Sequence, residues 1–138
     1  MRSSAHTLAK LIDPFGGAAL SVVAVTHPDY RTRMRAFIVA AKANALLMRG
    51  TEGEPYANPR RQPHIERFDR GVLTLSVEAE DRAEAPPALP SSTDAAGTAA
   101  WIAQAIDGTV PVPLPIVNQV ACCLGSPGLE AQDRDESA

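Results

Sequence analysis

The chain has 138 residues, 45% of them hydrophobic, and a formal charge of −3. Alanine supplies 24 of the hydrophobic residues, and Leu, Ile, Val and Phe together only 30, so the core available to a domain of this length is thin. No apolar run approaches the roughly 20 residues that cross a bilayer, which excludes an integral membrane protein. The first ten residues, MRSSAHTLAK, lack the apolar segment of a signal peptide. Two adjacent cysteines, Cys122 and Cys123, suit neither a disulfide framework nor a zinc site, so a reducing cytoplasm is the natural compartment.

In chain order, Ser3 or Ser4 is placed to cap a short helix through Leu11, ended by Pro14 and the pair Gly16-Gly17. Ala19–Val25 (ALSVVAV) has the length and β-branched content of a strand buried on both faces. Thr26-His27-Pro28-Asp29 then opens a helix. From Tyr30 to Ala43 the apolar residues Met34, Phe37, Ile38 and Ala41 form one helical stripe. A second apolar run, Ala45–Met48, follows. Strand, helix and strand at this spacing predict a βαβ unit with parallel strands and a right-handed crossover.

Thr51–Pro63 reads as a loop, and Val72–Val77 as a strand antiparallel to Ile65–Phe68. Glu78–Ser92 is acidic and proline-rich, a flexible connector. Thr93 or Asp94 caps a helix to Ile106, with Trp101, Ile102, Ala105 and Ile106 on one face and Gly108 as the stop. Pro111, Pro113 and Pro115 precede a last helix carrying Val117, Val120, Ala121 and Leu124, apolar nearly all round and expected to be buried. The resulting division is a domain over residues 1–125 and a disordered polar tail over 126–138.

Charge is divided unevenly. Residues 1–70 carry 11 Lys/Arg against 6 Asp/Glu, and residues 71–138 carry 2 against 10. A basic half points to a polyanionic partner, although arginine-rich, alanine-rich composition also yields ordinary solvated faces. Aromatics at 4% are too few to stack the bases of a nucleic acid strand, so any such partner would be held by its phosphates.

Ligands of parallel α/β sheets collect beyond the strand carboxyl ends. Here those ends gather His27, Asp29, Gly50, Thr51, Glu52, Glu54, Tyr56 and Asn58 as a candidate pocket. His27 also fits a plain helix cap, and the two glutamates fit solvated loop residues as well as they fit a metal site or an acid–base pair. Arg31, Arg33, Arg35, Arg60 and Arg61 flank the pocket, and their guanidinium groups suit bidentate phosphate contacts. His6 and His64 are read as structural or surface residues, and the two cysteines as core. No Ser/His/Asp or Cys/His triad is present, so no catalytic residue is assigned.

The wording of SAHTLAKL, Pro14-Phe15, THPDY, ALLMRGTEGEPYANPRR, TAAWI and ACCL resembles the YbiB-type DNA-binding proteins over roughly residues 2–124. These are relatives of anthranilate phosphoribosyltransferase in the nucleoside phosphorylase/phosphoribosyltransferase fold. The resemblance implies a partial α/β domain of that catalytic type, a βαβ core with flanking helices, and a homodimer in the full-length family. It implies sequence-independent binding of DNA and RNA without a reaction. The transferases place a magnesium-holding acidic pair where Pro55 and Tyr56 stand here, and an Arg-Thr where His6-Thr7 stands. Neither Pro55 nor Tyr56 supplies a carboxylate.

The resemblance also leads one to expect an N-terminal helical domain and a glycine-rich pyrophosphate loop, neither of which this chain contains, so a fragment is expected. The leading expectation is therefore a cytoplasmic, non-catalytic nucleic-acid-binding protein that needs no cofactor. The alternatives are a magnesium-dependent phosphoribosyltransferase and an inactive remnant.

Overall fold

A computed structural model describes residues 12, 15–16, 19–51, 54–80, 89–92 and 94–126. The expected N-terminal helix, residues 81–88 of the connector and residues 127–138 of the tail lie outside them. The described chain forms a mixed α/β domain in the order β1 (Ser21–Val25), α1 (Pro28–Ala40), β2 (Ala45–Arg49), β3 (Ile65–Asp69), β4 (Val72–Val77), α2 (Ala95–Ile106) and α3 (Leu114–Leu124). The four strands make one open sheet in sequence order.

The expected βαβ unit is present. β1 and β2 are parallel, with Ser21 opposite Ala45 and Val25 opposite Arg49. β2 and β3 are antiparallel, with Leu47 opposite Glu66 and Met48 opposite Ile65. β3 and β4 form the expected hairpin. Its two-residue turn holds both Arg70 (φ 49°) and Gly71 (φ 78°) in the left-handed region, the geometry that best matches strand twist.

Strand alternation divides the core into two layers. Ala45 and Leu47 of β2 point toward α1 and pack with Val23, Met34, Ile38 and Phe68. Leu46 and Met48 point to the opposite face and pack with Ala57, Ile65, Val77 and Cys122. All four are buried, as a central strand covered on both faces requires. The same alternation in β3 sends Glu66 to the α1 face and Arg67 to the α3 face.

α1 begins two residues before the expected Tyr30 and ends three before Ala43. His27 is its N-cap, Nδ1 accepting from the Asp29 amide at 3.3 Å, and Pro28 fills the first turn, where no amide is needed. It stops because Lys42 turns left-handed (φ 50°). The Lys42 amide then donates to the Val39 carbonyl and the Ala43 amide to the Ile38 carbonyl, the paired bonds of a Schellman end. Gly71 sits against this end. A Cβ there would lie 2.8 Å from the Val39 carbonyl oxygen.

The helical faces depart from expectation. Of the α1 stripe only Met34 and Ile38 are buried, Phe37 and Ala41 being exposed. α2 is capped by Asp94, whose carboxylate accepts from the Gly97 amide at 2.7 Å. No α2 residue is buried, so its face of Trp101, Ile102, Ala105 and Ile106 is not core. α3 is not buried all round. Its sheet-facing residues are Pro115, Asn118 and Cys122, whereas Val120 and Leu124 are exposed. Cys122 is core as expected, while Cys123 is half-buried.

Candidate functional site

A cavity of about 280 Å³ opens at the carboxyl ends of β1 and β2. The wall from β1 and α1 brings Thr26, His27 and Arg31. The wall from β2 and the loop after it brings Arg49, Gly50, Thr51, Asn58, Arg61 and Gln62, and the entry to β3 brings His64. Three arginines and two histidines therefore converge, and among the described residues no carboxylate lines the cavity.

Backbone geometry narrows the mouth at Gly50. A Cβ at that position would stand 2.7 Å from the Glu54 carbonyl oxygen and 2.8 Å from the Ala24 side chain, so only glycine fits. The Gly50 amide donates to the Val25 carbonyl, and Thr51 and Glu54 pair through their backbones. The Thr51 hydroxyl donates to the Tyr56 carbonyl at 3.1 Å.

α3 holds the rest of the loop in place. The Gln119 amide group accepts from the Ala57 amide at 2.7 Å and donates to the Pro55 carbonyl at 2.9 Å. Asn118, fully buried, donates to the Gln62 side-chain oxygen at 3.0 Å. Gln62 in turn bridges to Glu80 through the backbone, which ties down the first residues of the expected connector. On β3, Arg67 donates to the carbonyls of Cys122 and Cys123, both at 2.6 Å, placing a cation at the negative end of α3. Burial pushes the Cys123 thiol up, away from the range of an activated nucleophile.

The polar core of the site is a network on the α1 face. Glu66 is buried and bridges two arginines, Arg31 Nη2 to its Oε2 at 2.8 Å and Arg35 Nε to its Oε1 at 3.4 Å. Arg31 also donates to His64 Nδ1. The opposite ring nitrogen, Nε2, is 2.9 Å from the Ser76 hydroxyl and 3.8 Å from the Glu78 carboxylate. Burial and the nearby Arg31 guanidinium hold His64 below the usual histidine value.

Of the residues predicted for the pocket, His27, Gly50, Thr51 and Asn58 line it. Asp29 does not; it lies exposed on the first turn of α1, 3.7 Å from His27. Glu54 is exposed and joined to Thr51 through its backbone, and Tyr56 faces a different, apolar groove. Glu52 lies outside the described residues. Of the five predicted arginines, Arg31 and Arg61 reach the cavity, Arg35 is paired with Glu66, and Arg33 and Arg60 are exposed and do not line it.

Arg49, Gln62 and His64 were not anticipated. The strand alternation of β3 was the available signal for the His64–Glu66 side of the site, since i and i+2 share a face.

Where the resemblance places the transferases' magnesium-holding acidic pair, this chain has Pro55 and Tyr56. Pro55 offers only a carbonyl, already bonded to Gln119, and Tyr56 is turned into the apolar groove. Among the described residues no three His, Cys, Asp or Glu side chains gather as a metal set would.

No protein-family model matches the chain. The chain is similar to the Escherichia coli protein named "Uncharacterized protein YbiB", 43% identical over 136 residues. The match takes in 98% of this chain but 42% of the relative, so the chain spans less than half of that protein's length. No helix among the described residues is long and apolar enough to cross a membrane.

Proposed function

We propose that the chain, as part of a YbiB-type protein, binds the phosphate backbone of DNA and RNA without reading sequence. In this reading the chain is a portion of a nucleoside phosphorylase/phosphoribosyltransferase-type α/β domain, cytoplasmic, homodimeric as a whole protein, and non-catalytic. The observation that carries it is the cavity at the strand carboxyl ends, lined by three arginines and two histidines and by no carboxylate among the described residues. Arginine suits the task because its planar fork pairs two phosphate oxygens and keeps its charge.

The ion pairs divide the labour among the arginines. Arg31 and Arg35 already share Glu66. Arg33, Arg49, Arg60 and Arg61 make no ion pair among the described residues, so their charge is available to an incoming phosphate. Arg49 and Arg61 are the best placed of these, both being exposed and in the cavity wall.

Fluorescence anisotropy with two unrelated labelled oligonucleotides tests the reading. The affinity should be equal for the two sequences and fall linearly on a log–log plot against salt. Arg61→Ala should lower both affinities alike and flatten the salt slope by about one contact. Binding that ignores salt, or no binding at low salt, overturns the proposal.

A further inference from the structure

We propose that an oxyanion and a proton on His64 enter the basic cavity together, so that anion binding there is linked to pH. The inference rests on reading the cavity as a phosphate site, and it adds the device that regulates it.

Hydrogen-bond bookkeeping fixes the resting state. A guanidinium can only donate, so the nitrogen facing Arg31, His64 Nδ1, must offer a lone pair. The ring proton then sits on Nε2 and is donated to the Ser76 hydroxyl, 2.9 Å away. His64 is thus neutral while Arg31 holds it. Protonation would put an N–H on Nδ1 against the Arg31 guanidinium, donor against donor and cation beside cation.

The groups around the ring oppose one another. Arg31 and Arg35 from α1 disfavour the imidazolium, while Glu66 on β3 and Glu78 beyond β4 favour it. Arg49, Arg61 and His27 line the same cavity and add only positive or neutral partners. Burial and Arg31 together outweigh the two glutamates, so the protein's own groups bias His64 toward its neutral form.

A bound oxyanion reverses the balance. It accepts from the Arg31 guanidinium and the new Nδ1–H together, so the two donors converge on one acceptor instead of facing each other. Arg31 is also anchored to Glu66 at 2.8 Å, through the same Nη2 that faces His64. Reciprocity then requires that what raises the proton affinity of His64 also raises the anion affinity as pH falls.

The chain carries three histidines, so NMR of the imidazole rings follows each one, His64 being identified by the signal lost in His64→Gln. Should that variant not fold, dipolar contact between the ring and Ser76 identifies the signal in the native chain. Two probes keep constant charge between pH 5 and 8: sulfate, and an oligothymidylate with phosphodiester links only. Either should raise the His64 midpoint by about one unit, which corresponds to binding that tightens as pH falls from 8, by up to about tenfold at a pH below both midpoints. The pH dependence should be clearly smaller in His64→Gln than in the native chain.

If the oligothymidylate binds and the His64 midpoint does not move, the proton linkage is wrong and the nucleic-acid reading stands. If sulfate shifts the midpoint but the oligothymidylate does not bind at low salt, the linkage stands and the nucleic-acid reading is wrong. Neither binding nor a shift with either probe overturns both.

Discussion

The loop between β2 and β3 lines two depressions of opposite chemistry. Toward the sheet it gives Thr51, Asn58 and Arg61 to the basic cavity, and toward α2 and α3 it gives Tyr56 and Pro59 to a groove completed by Trp101, Ile102, Ala105 and Ile106. The basic cavity stands on the most buried part of the molecule. Beneath it Ala45–Met48 of β2 are buried, and so are Glu66, Gln62 and Asn118, with their polar groups bonded. The groove has no such foundation, since α2 contributes no buried residue. Polar side chains here are fixed by the core, whereas the larger apolar ones of α2 remain at the surface. An apolar surface is therefore a poor guide to where this fold is held together.

The largest expected effect sharpens that contrast directly. Ile65→Ala removes a fully buried side chain between β2, β4 and α3, and should lower the unfolding free energy by about 2–5 kcal/mol. Ile106→Ala removes one that is 80% exposed and should stay within about 0.5 kcal/mol. Urea unfolding of the two variants measures both. Equal losses would mean that α2 is packed and the contrast between the two regions is false.

A second, smaller effect separates stability from affinity inside the basic region. Glu66→Gln keeps the shape but removes the charge that Arg31 and Arg35 share, leaving hydrogen bonds where there were ion pairs. Stability should fall by about 1–3 kcal/mol, the range for losing a charged hydrogen-bond partner at a buried position. Affinity for an oligonucleotide should rise, because both guanidinium groups lose a competing anion. Urea unfolding and anisotropy on the same variant read the two quantities. A fall in both would place Glu66 as an organiser of the site rather than a competitor for its charges.

These contrasts also show what one-dimensional pattern conveys. The βαβ unit was legible because two short apolar runs flank a helical stripe, and the β3–β4 hairpin because Ile65–Phe68 and Val72–Val77 both read as strands close in sequence. His27, Gly50, Thr51 and Asn58 were placed together because parallel strand ends are a general ligand location. His64 was not, since its role depends on β3 folding back antiparallel beside β2, a pairing that no local signal specifies. The burial of α3 misled for a related reason. Apolar count favours Val120 and Leu124 as core, yet Asn118 takes the sheet face because Gln62 satisfies its amide. Partners 56 residues apart in sequence decide such positions, and composition is silent on them.

The smallest effect concerns acid. His64 is held below its ordinary value of 6.5 by burial and by Arg31, so the folded chain binds fewer protons than the unfolded chain as pH drops through that value. Stability should therefore be full above about pH 6.5 and decline below it, because the unfolded state is protonated first. Asp94 works in the opposite direction of charge and at lower pH. The Gly97 amide holds its carboxyl below 3.8, so its contribution persists until pH falls past that value. The two declines begin at different pH, so a loss of stability that sets in as pH falls below about 6.5 is assigned to His64 and not to Asp94. Urea midpoints across this interval should fall in the native chain and stay flatter in His64→Gln. Sulfate should shallow the native decline, since an occupied cavity lets the folded state take up the proton as well. A native midpoint that does not change from pH 7 to 5 would mean that Arg31 does not oppose the imidazolium, and the basic cavity would lose the feature that distinguishes it from a fixed patch of charge.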